Sequence, residues 1–262
     1  MKFEHLAGKR ALGIAYSKDY ADWAESLLHE DIESENVAIL ASIGLERNPD
    51  SEEIEVYFKK SLTDLNLVLP SEVISLAFYA KALCHQIVLG DVDPKKGLGI
   101  LEACYSKSGY KTIYSIWEEL AEDLWMVNAR EHCIFNAGLT KENASDYIKS
   151  VAAQFIVLLE SELPEDFFHL SACPECGYIG KSEYKAINNP WMPAKLFKFI
   201  YKHSQTQMAI CLKCKKPFPK NMSDYEGREQ YLNKITNKLS NNGGGLNAES
   251  LPDAHAGLDV IL

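Results

Sequence analysis

Long uncharged apolar runs are missing from this chain. None reaches the roughly 18 residues of a membrane-spanning helix, so no transmembrane segment is expected. The opening Met1-Lys2-Phe3-Glu4-His5-Leu6 leads into no apolar stretch of the signal-peptide kind, so none is expected there either. The common catalytic signatures are also missing. There is no Gly-x-Gly-x-x-Gly after a strand, no P-loop, no His-Glu-x-x-His and no Gly-x-Ser-x-Gly. No catalytic residue is therefore named from the sequence. No repeat of constant period occurs, which speaks against a regular solenoid. Disulfide density is excluded by number, since seven cysteines in 262 residues are few and odd. Such usage fits a reducing cytoplasm. With 47 % hydrophobic and 24 % charged residues, the composition is that of an ordinary globular protein, of one large domain or two modest ones.

Four of the seven cysteines are grouped. Cys173-Pro174-Glu175-Cys176 is followed, after 34 residues, by Cys211-Leu212-Lys213-Cys214. Two residues between thiols let both sulfurs of a tight turn reach one ion, and four thiolates suit the tetrahedral preference of zinc. Gly177 favours the first turn because it lacks a Cβ, and Pro174 helps preset it. Lys215 stands where the second turn would want the same freedom. All four ligands are protein thiolates, so no position remains for the water of a catalytic zinc. One structural zinc held by Cys173, Cys176, Cys211 and Cys214 is expected. Two redox dithiols or two disulfides are the alternatives. The Cys-Pro-x-Cys-Gly knuckle resembles those of the zinc-ribbon family over roughly residues 170–218. That resemblance implies a metal and a small β module, and no activity. The 34-residue spacing exceeds what a minimal ribbon needs, so an insertion between the knuckles is expected. Cys84, Cys104 and Cys133 sit singly among apolar neighbours and read as buried thiols.

Charge divides near residue 170. Residues 1–172 carry 15 Lys/Arg against 29 Asp/Glu, whereas residues 173–240 carry 12 against 5. The remaining residues hold three acids and no base. With the cysteine spacing, this shift predicts an acidic all-helical domain at 1–165 and a basic ribbon with an insertion at 166–222. A helix at 223–240 and a glycine-rich linker and tail at 241–262 follow. The fold class expected is mainly α, an irregular bundle or stack, with a small C-terminal four-cysteine β module.

The helices are read from apolar spacing of three and four and from their caps. Apolar sets start at Leu6, at Tyr20 behind Ser17, and at Val37 behind Ser34 with Gly44 as the stop. Asp50 precedes a helix with Ile54, Phe58 and Leu62 on one face. Pro70-Ser71-Glu72 opens a long helix that Gly90 ends, and Asp93-Pro94 is an N-cap with proline at the first position. Further helices are expected at 111–125 and from Thr140 or Asn143 to about Leu163, where Val151 to Leu159 is apolar nearly all round. Ile179-Gly180, 182–187 and 207–211 read as strands, 194–203 as a helix, and Ser223 with Glu226 as a capping box. Ile39-Leu40-Ala41 to Gly44-Leu45, with Gly90-x-x-Asp93-Pro94-x-x-Gly97-x-x-x-Leu101, resembles a group of small all-helical bacterial proteins without an assigned activity. It covers roughly residues 20–125 and marks loops and caps, so it carries no functional residues across.

Other clusters have plainer readings. His29, Glu30 and Glu33 share a face, as a metal site or a solvated helix end would. Glu118, Glu119, Glu122 and Asp123 read as the exposed side of a helix. Arg130, Glu131, His132 and Cys133 hold the residue types of nucleophilic catalysis, but adjacency in sequence does not bring them together in space. Lys181, Lys185, Lys195, Lys198, Lys202, Lys213, Lys215, Lys216 and Lys220, interleaved with Tyr184, Trp191, Phe197, Phe199, Tyr201 and Phe218, could meet phosphates and bases. Arginine, the commonest reader of bases, is almost missing there. The leading expectation is a non-catalytic bacterial zinc-binding protein that acts as an interaction adaptor, toxin neutralisation being one such role. The alternatives are nucleic-acid binding through the ribbon and an enzyme with a site in a groove of the helical domain.

Overall fold

The computed structural model describes residues 1–32, 34–44, 46, 48–186 and 207–241. Glu33, Lys195, Lys198 and Lys202 lie outside them, as do the aromatics of the insertion, its expected helix and the 242–262 tail. Among the described residues the fold is mainly α, with nine α-helices and two small antiparallel sheets near the C-terminal cysteines. This is the class the sequence predicts. The chain divides into two compact units. Met1–Ala121 and Ser145–Ser161 belong to the first, and Glu122–Ala144 with the described part of 162–252 to the second.

The first unit begins with α1 (Phe3–Leu12), α2 (Ser17–His29), α3 (Glu35–Ile43) and α4 (Ser51–Asp64). Their shared core holds Leu6, Trp23, Val37, Leu40, Ile54 and Phe58, and the rings of Trp23 and Phe58 meet edge to face at 5.4 Å. The caps read from the sequence are largely those used. Ser34 Oγ accepts from Val37 N, and Asp50 Oδ1 accepts from Glu52 N at 2.9 Å. Ser17 differs: it is the first helical residue, and the Asp19 carboxylate accepts the Tyr16 N–H at 2.8 Å. A carboxylate satisfies an orphan amide and faces the positive helix end, so it displaces the hydroxyl cap.

The long helix α5 (Glu72–Leu89) starts at Ser71 and ends where Gly90 turns left-handed at φ 86. By length and mean hydropathy, 1.3, α5 would suit a membrane. It nevertheless carries Glu72 and Lys81 and buries Leu76, Leu83, Cys84 and Ile87 in the protein core. α1 lies close against α5 because position 8 is glycine. A Cβ there would meet Tyr79 Cβ at 2.2 Å and the Ser75 carbonyl at 2.9 Å. Asp93 and Pro94 open α6 (Pro94–Lys107) as expected. A single 3-10 turn leads into α7 (Ser115–Asn128), and the unit closes with α8 (Ala144–Glu160). Thr140 and Asn143 share the start of α8. Each side-chain oxygen accepts the other's backbone N–H, at 3.2 and 2.7 Å. Val151, Phe155 and Leu158 are fully buried, whereas Val157 is exposed. Phe155 packs edge to face on Trp117 at 5.1 Å.

In the second unit, the end of α7 sets the course of the segment that follows. Asp123 is completely buried, not on the exposed side that the run of acids suggests. Its carboxylate accepts from the backbone N–H groups of Ile134, Phe135 and Asn136 at 2.6, 2.9 and 2.6 Å, and from Asn136 Nδ2 at 3.0 Å. Strand β1 (Ser171–Ala172) sits between β2 (Ile179–Gly180) and β5 (Lys220–Asn221), antiparallel to both. Strand β3 (Ser182–Ala186) pairs antiparallel with β4 (Gln207–Cys211), with Tyr184 opposite Ala209 and Ser182 opposite Cys211. The last helix, α9 (Tyr225–Asn241), packs close to β5. A Cβ on Gly227 would lie 2.0 Å from the Asn221 carbonyl oxygen. The expected Ser223–Glu226 box does not form this start. Asp224 accepts from Asn221 N, and Glu226 pairs with Lys220 at 2.7 Å. Fully buried Arg228 donates to the carbonyls of Met222 and Ser223 and so fixes the turn before the helix. Phe167 meets Tyr231 edge to face at 4.9 Å.

Candidate metal centre

The four grouped cysteines converge. Their sulfurs all lie within 4.8 Å of one another. Cys173 Sγ is 3.6 Å from Cys214 Sγ, and Cys176 Sγ is 3.7 Å from Cys211 Sγ. Sulfurs placed about 2.3 Å from one tetrahedral ion stand about 3.8 Å apart, so these separations fit a shared metal. A disulfide needs about 2.05 Å, and all seven cysteines are free.

The two knuckles are built alike, although their sequences differ. Gly177 N donates to Cys173 O and Lys215 N to Cys211 O, both at 2.9 Å. Cys173 N then donates to Tyr178 O and Cys211 N to Lys216 O, at 2.8 and 2.9 Å. Both pivots are left-handed, at φ 66 for Gly177 and 59 for Lys215. Glycine takes that conformation freely and lysine does not, so the second turn carries the strain the sequence suggests. Backbone amides point at the first sulfur of each turn, those of Glu175 and Cys176 at Cys173 and those of Lys213 and Cys214 at Cys211. Burial raises the Cys173 thiol against its two amides. Burial also raises Cys211, but the Cys214 and Lys213 amides, with the neighbouring thiols, outweigh it and bring the group down to about 7. The Lys216 amide lowers Cys214, yet burial and the crowding thiols leave it raised. Four thiols so close ionise together only against a positive ion. A tetrahedral all-sulfur set suits zinc or iron. A set closed in this way stabilises a fold and leaves no position for substrate.

The remaining sequence candidates separate. His29 and Glu30 are exposed, at the end of α2. Arg130, Glu131 and His132 are exposed, while Cys133 donates to Leu139 O at 3.5 Å. Burial pushes the Cys133 thiol up, with Asp123 adding to the effect, which is the wrong direction for a nucleophile. Cys84 and Cys104 are fully buried, and burial raises both. Of the basic set, Lys181 pairs with Asp166 at 3.3 Å, Lys215 with Glu183 at 3.1 Å and Lys220 with Glu226 at 2.7 Å. Lys185, Lys213 and Lys216 are exposed and form no ion pair among the described residues.

One feature of the first unit has no counterpart in the sequence reading. Leu67, Val68 and Leu69, between α4 and α5, are all exposed, Val68 to 84 %. Leu67 also lines an open cleft of about 520 Å³ with Phe3, Trp23, Leu27, Ile32 and Leu65, and with Lys2, Glu4 and Glu30 also on its walls. Three adjacent aliphatic residues outside any regular element were legible as a run, but their exposure was not. Comparison with family models, curated proteins and solved structures returns no match to this chain.

Proposed function

We propose that this chain is a bacterial, cytoplasmic zinc-binding protein in which the metal is structural and the helical unit is a non-catalytic protein-interaction adaptor. The observation that carries the adaptor reading is the solvent-facing Leu67-Val68-Leu69 loop beside its apolar cleft. Exposed aliphatic clusters next to a groove are costly in water and typify interaction surfaces. Val68 has no role in the core that would explain it. The acids of residues 1–172 favour a partner with basic residues around an apolar anchor, and neutralisation of a basic toxin is one role of that kind. The closed four-sulfur set supports a structural metal, here taken as zinc.

The test is co-purification from cells of the source with wild-type protein and Val68→Asp in parallel, their helix content matched by circular dichroism. A partner held by the wild type and lost from the variant supports the reading. Identical sets of bound proteins would refute it.

A further inference from the structure

The ribbon displays two aromatic rings that the fold does not use. Tyr184 on β3 is 62 % exposed and Phe218, just past the second knuckle, is 67 % exposed. They occupy one row. Tyr184 pairs with Ala209, and Phe218 N donates to the Ala209 carbonyl at 3.1 Å from the other side. The neighbouring Ile210–Pro217 bridge is antiparallel, in the same register. The backbones of Tyr184 and Phe218 thus flank Ala209 from either side, about 10 Å apart at two strand spacings of about 4.8 Å.

The backbone of Phe218 is held against its preference. Its φ is 61, a left-handed value that is rare for a bulky residue. It also precedes Pro219, and proline steers the residue before it toward extended backbone. Strain that persists without burying the side chain points to a use outside the fold. Two rows along the ladder, past Glu183, Ile210 and Pro217, Cys211 N donates to Lys216 O, which places Lys216 at the second knuckle, and Lys213 lies in the same knuckle. Both lysines are exposed and free of ion pairs among the described residues.

We propose that this face of the ribbon binds single-stranded nucleic acid, with bases stacked on Tyr184 and Phe218 and phosphates met by Lys213 and Lys216. Rings with lysines beside them are the parts of a sequence-tolerant single-strand site, and the shortage of arginine suits a site that does not read base edges. The surface is distinct from the Leu67–Leu69 loop and depends on the metal only for the fold of the ribbon.

Fluorescence anisotropy of labelled (dT)15 and (rU)15 on the full zinc-loaded chain tests this, with a 15-base-pair duplex as competitor. Single strands are expected to bind more tightly than the duplex. Removing each ring should weaken binding by about tenfold, and Lys213→Gln with Lys216→Gln should flatten the salt dependence by about 1.4 in log–log slope. Phe218→Gly is the decisive variant. Glycine accepts the left-handed backbone, so ribbon stability should hold or rise while binding falls. Binding of (rU)15 alone would assign the site to RNA, and of (dT)15 alone to DNA. No binding at 50 mM salt, or equal binding of duplex with both ring variants silent, would overturn the proposal. Val68→Asp should leave this binding unchanged, which separates its failure from that of the adaptor reading.

Discussion

Asp123→Ala removes the one acceptor that holds four donors: the amides of residues 134 to 136 and Asn136 Nδ2. The cost depends on which donors can find water once the carboxylate is gone. Ile134 is exposed and Phe135 partly so, and their amides rehydrate at little cost. Asn136 is 1 % exposed, so its two donors stay buried. At about 1–3 kcal/mol for each buried donor left unmade, the variant should lose about 2–6 kcal/mol. Asp123→Asn keeps one acceptor and the volume, but turns an amide toward other donors, and should fall between the two. Urea denaturation gives the free energies, and hydrogen exchange reports the site itself. Amides 134–136 should be protected in the wild type and exchange quickly in Asp123→Ala. A loss below about 1 kcal/mol, with protection of those amides intact, would refute the assignment of Asp123 as the anchor of this segment.

Other predictions concern the metal, the packing of the helices and pH. Purified protein should contain about one zinc per chain, and Cys176→Ser should lose most of it, with the four-cysteine region unfolding while the helical signal of the first unit persists; full zinc retention by the variant counts against the site. A red iron-loaded protein would show that the sulfur set selects iron instead. Gly8→Ala gains helix propensity yet should cost about 1–3 kcal/mol, because the new methyl has no room against Tyr79; a stabilised variant in thermal melts would show that α1 and α5 are not so close. Arg10 donates to Glu55 at 2.6 and 2.9 Å, and this bond holds the carboxyl below its ordinary value. A lowered folded value means that the pair stabilises above the unfolded carboxylate value, about 4.3, and that this is lost as pH falls through the folded value. Glu55→Gln should therefore cost under about 1 kcal/mol at pH 7, given the partial exposure, and nothing near pH 2; a difference that does not change with acid would contradict this.

Much of the helical unit was legible in the sequence because its signals are local. Ser34, Asp50, Ser71 and Asp93 each sit one residue before a helix and satisfy amides within three residues of themselves. The cysteine cluster was legible because two residues between thiols constrain a turn wherever they occur. What the sequence hid depends on contacts at longer range. Asp123 looked like one acid among four because its partners lie 11 to 13 residues away, in a segment with no periodic pattern. Arg228 lies in a polar stretch of sequence, yet it is buried because the turn at Met222 and Ser223 wraps its guanidinium. The Ser223–Glu226 box failed for a related reason. Lys220, brought close by β5, competes for Glu226, and a charged pair outcompetes a backbone amide.

The division of the first unit along the chain sets the order in which it can be made. Residues 145–161 belong with 1–121, and the intervening 23 residues belong elsewhere. Trp117 and Tyr114 therefore leave the ribosome before Phe155, the ring that covers them. At about 5–20 residues per second, that gap lasts about 2–8 seconds. During it, Trp117 and Tyr114 lack their native ring contacts with Phe155, and that side of the core stays open. A fragment ending at Ala121 would make the interval permanent. The shortest piece able to close this core runs to Ser161.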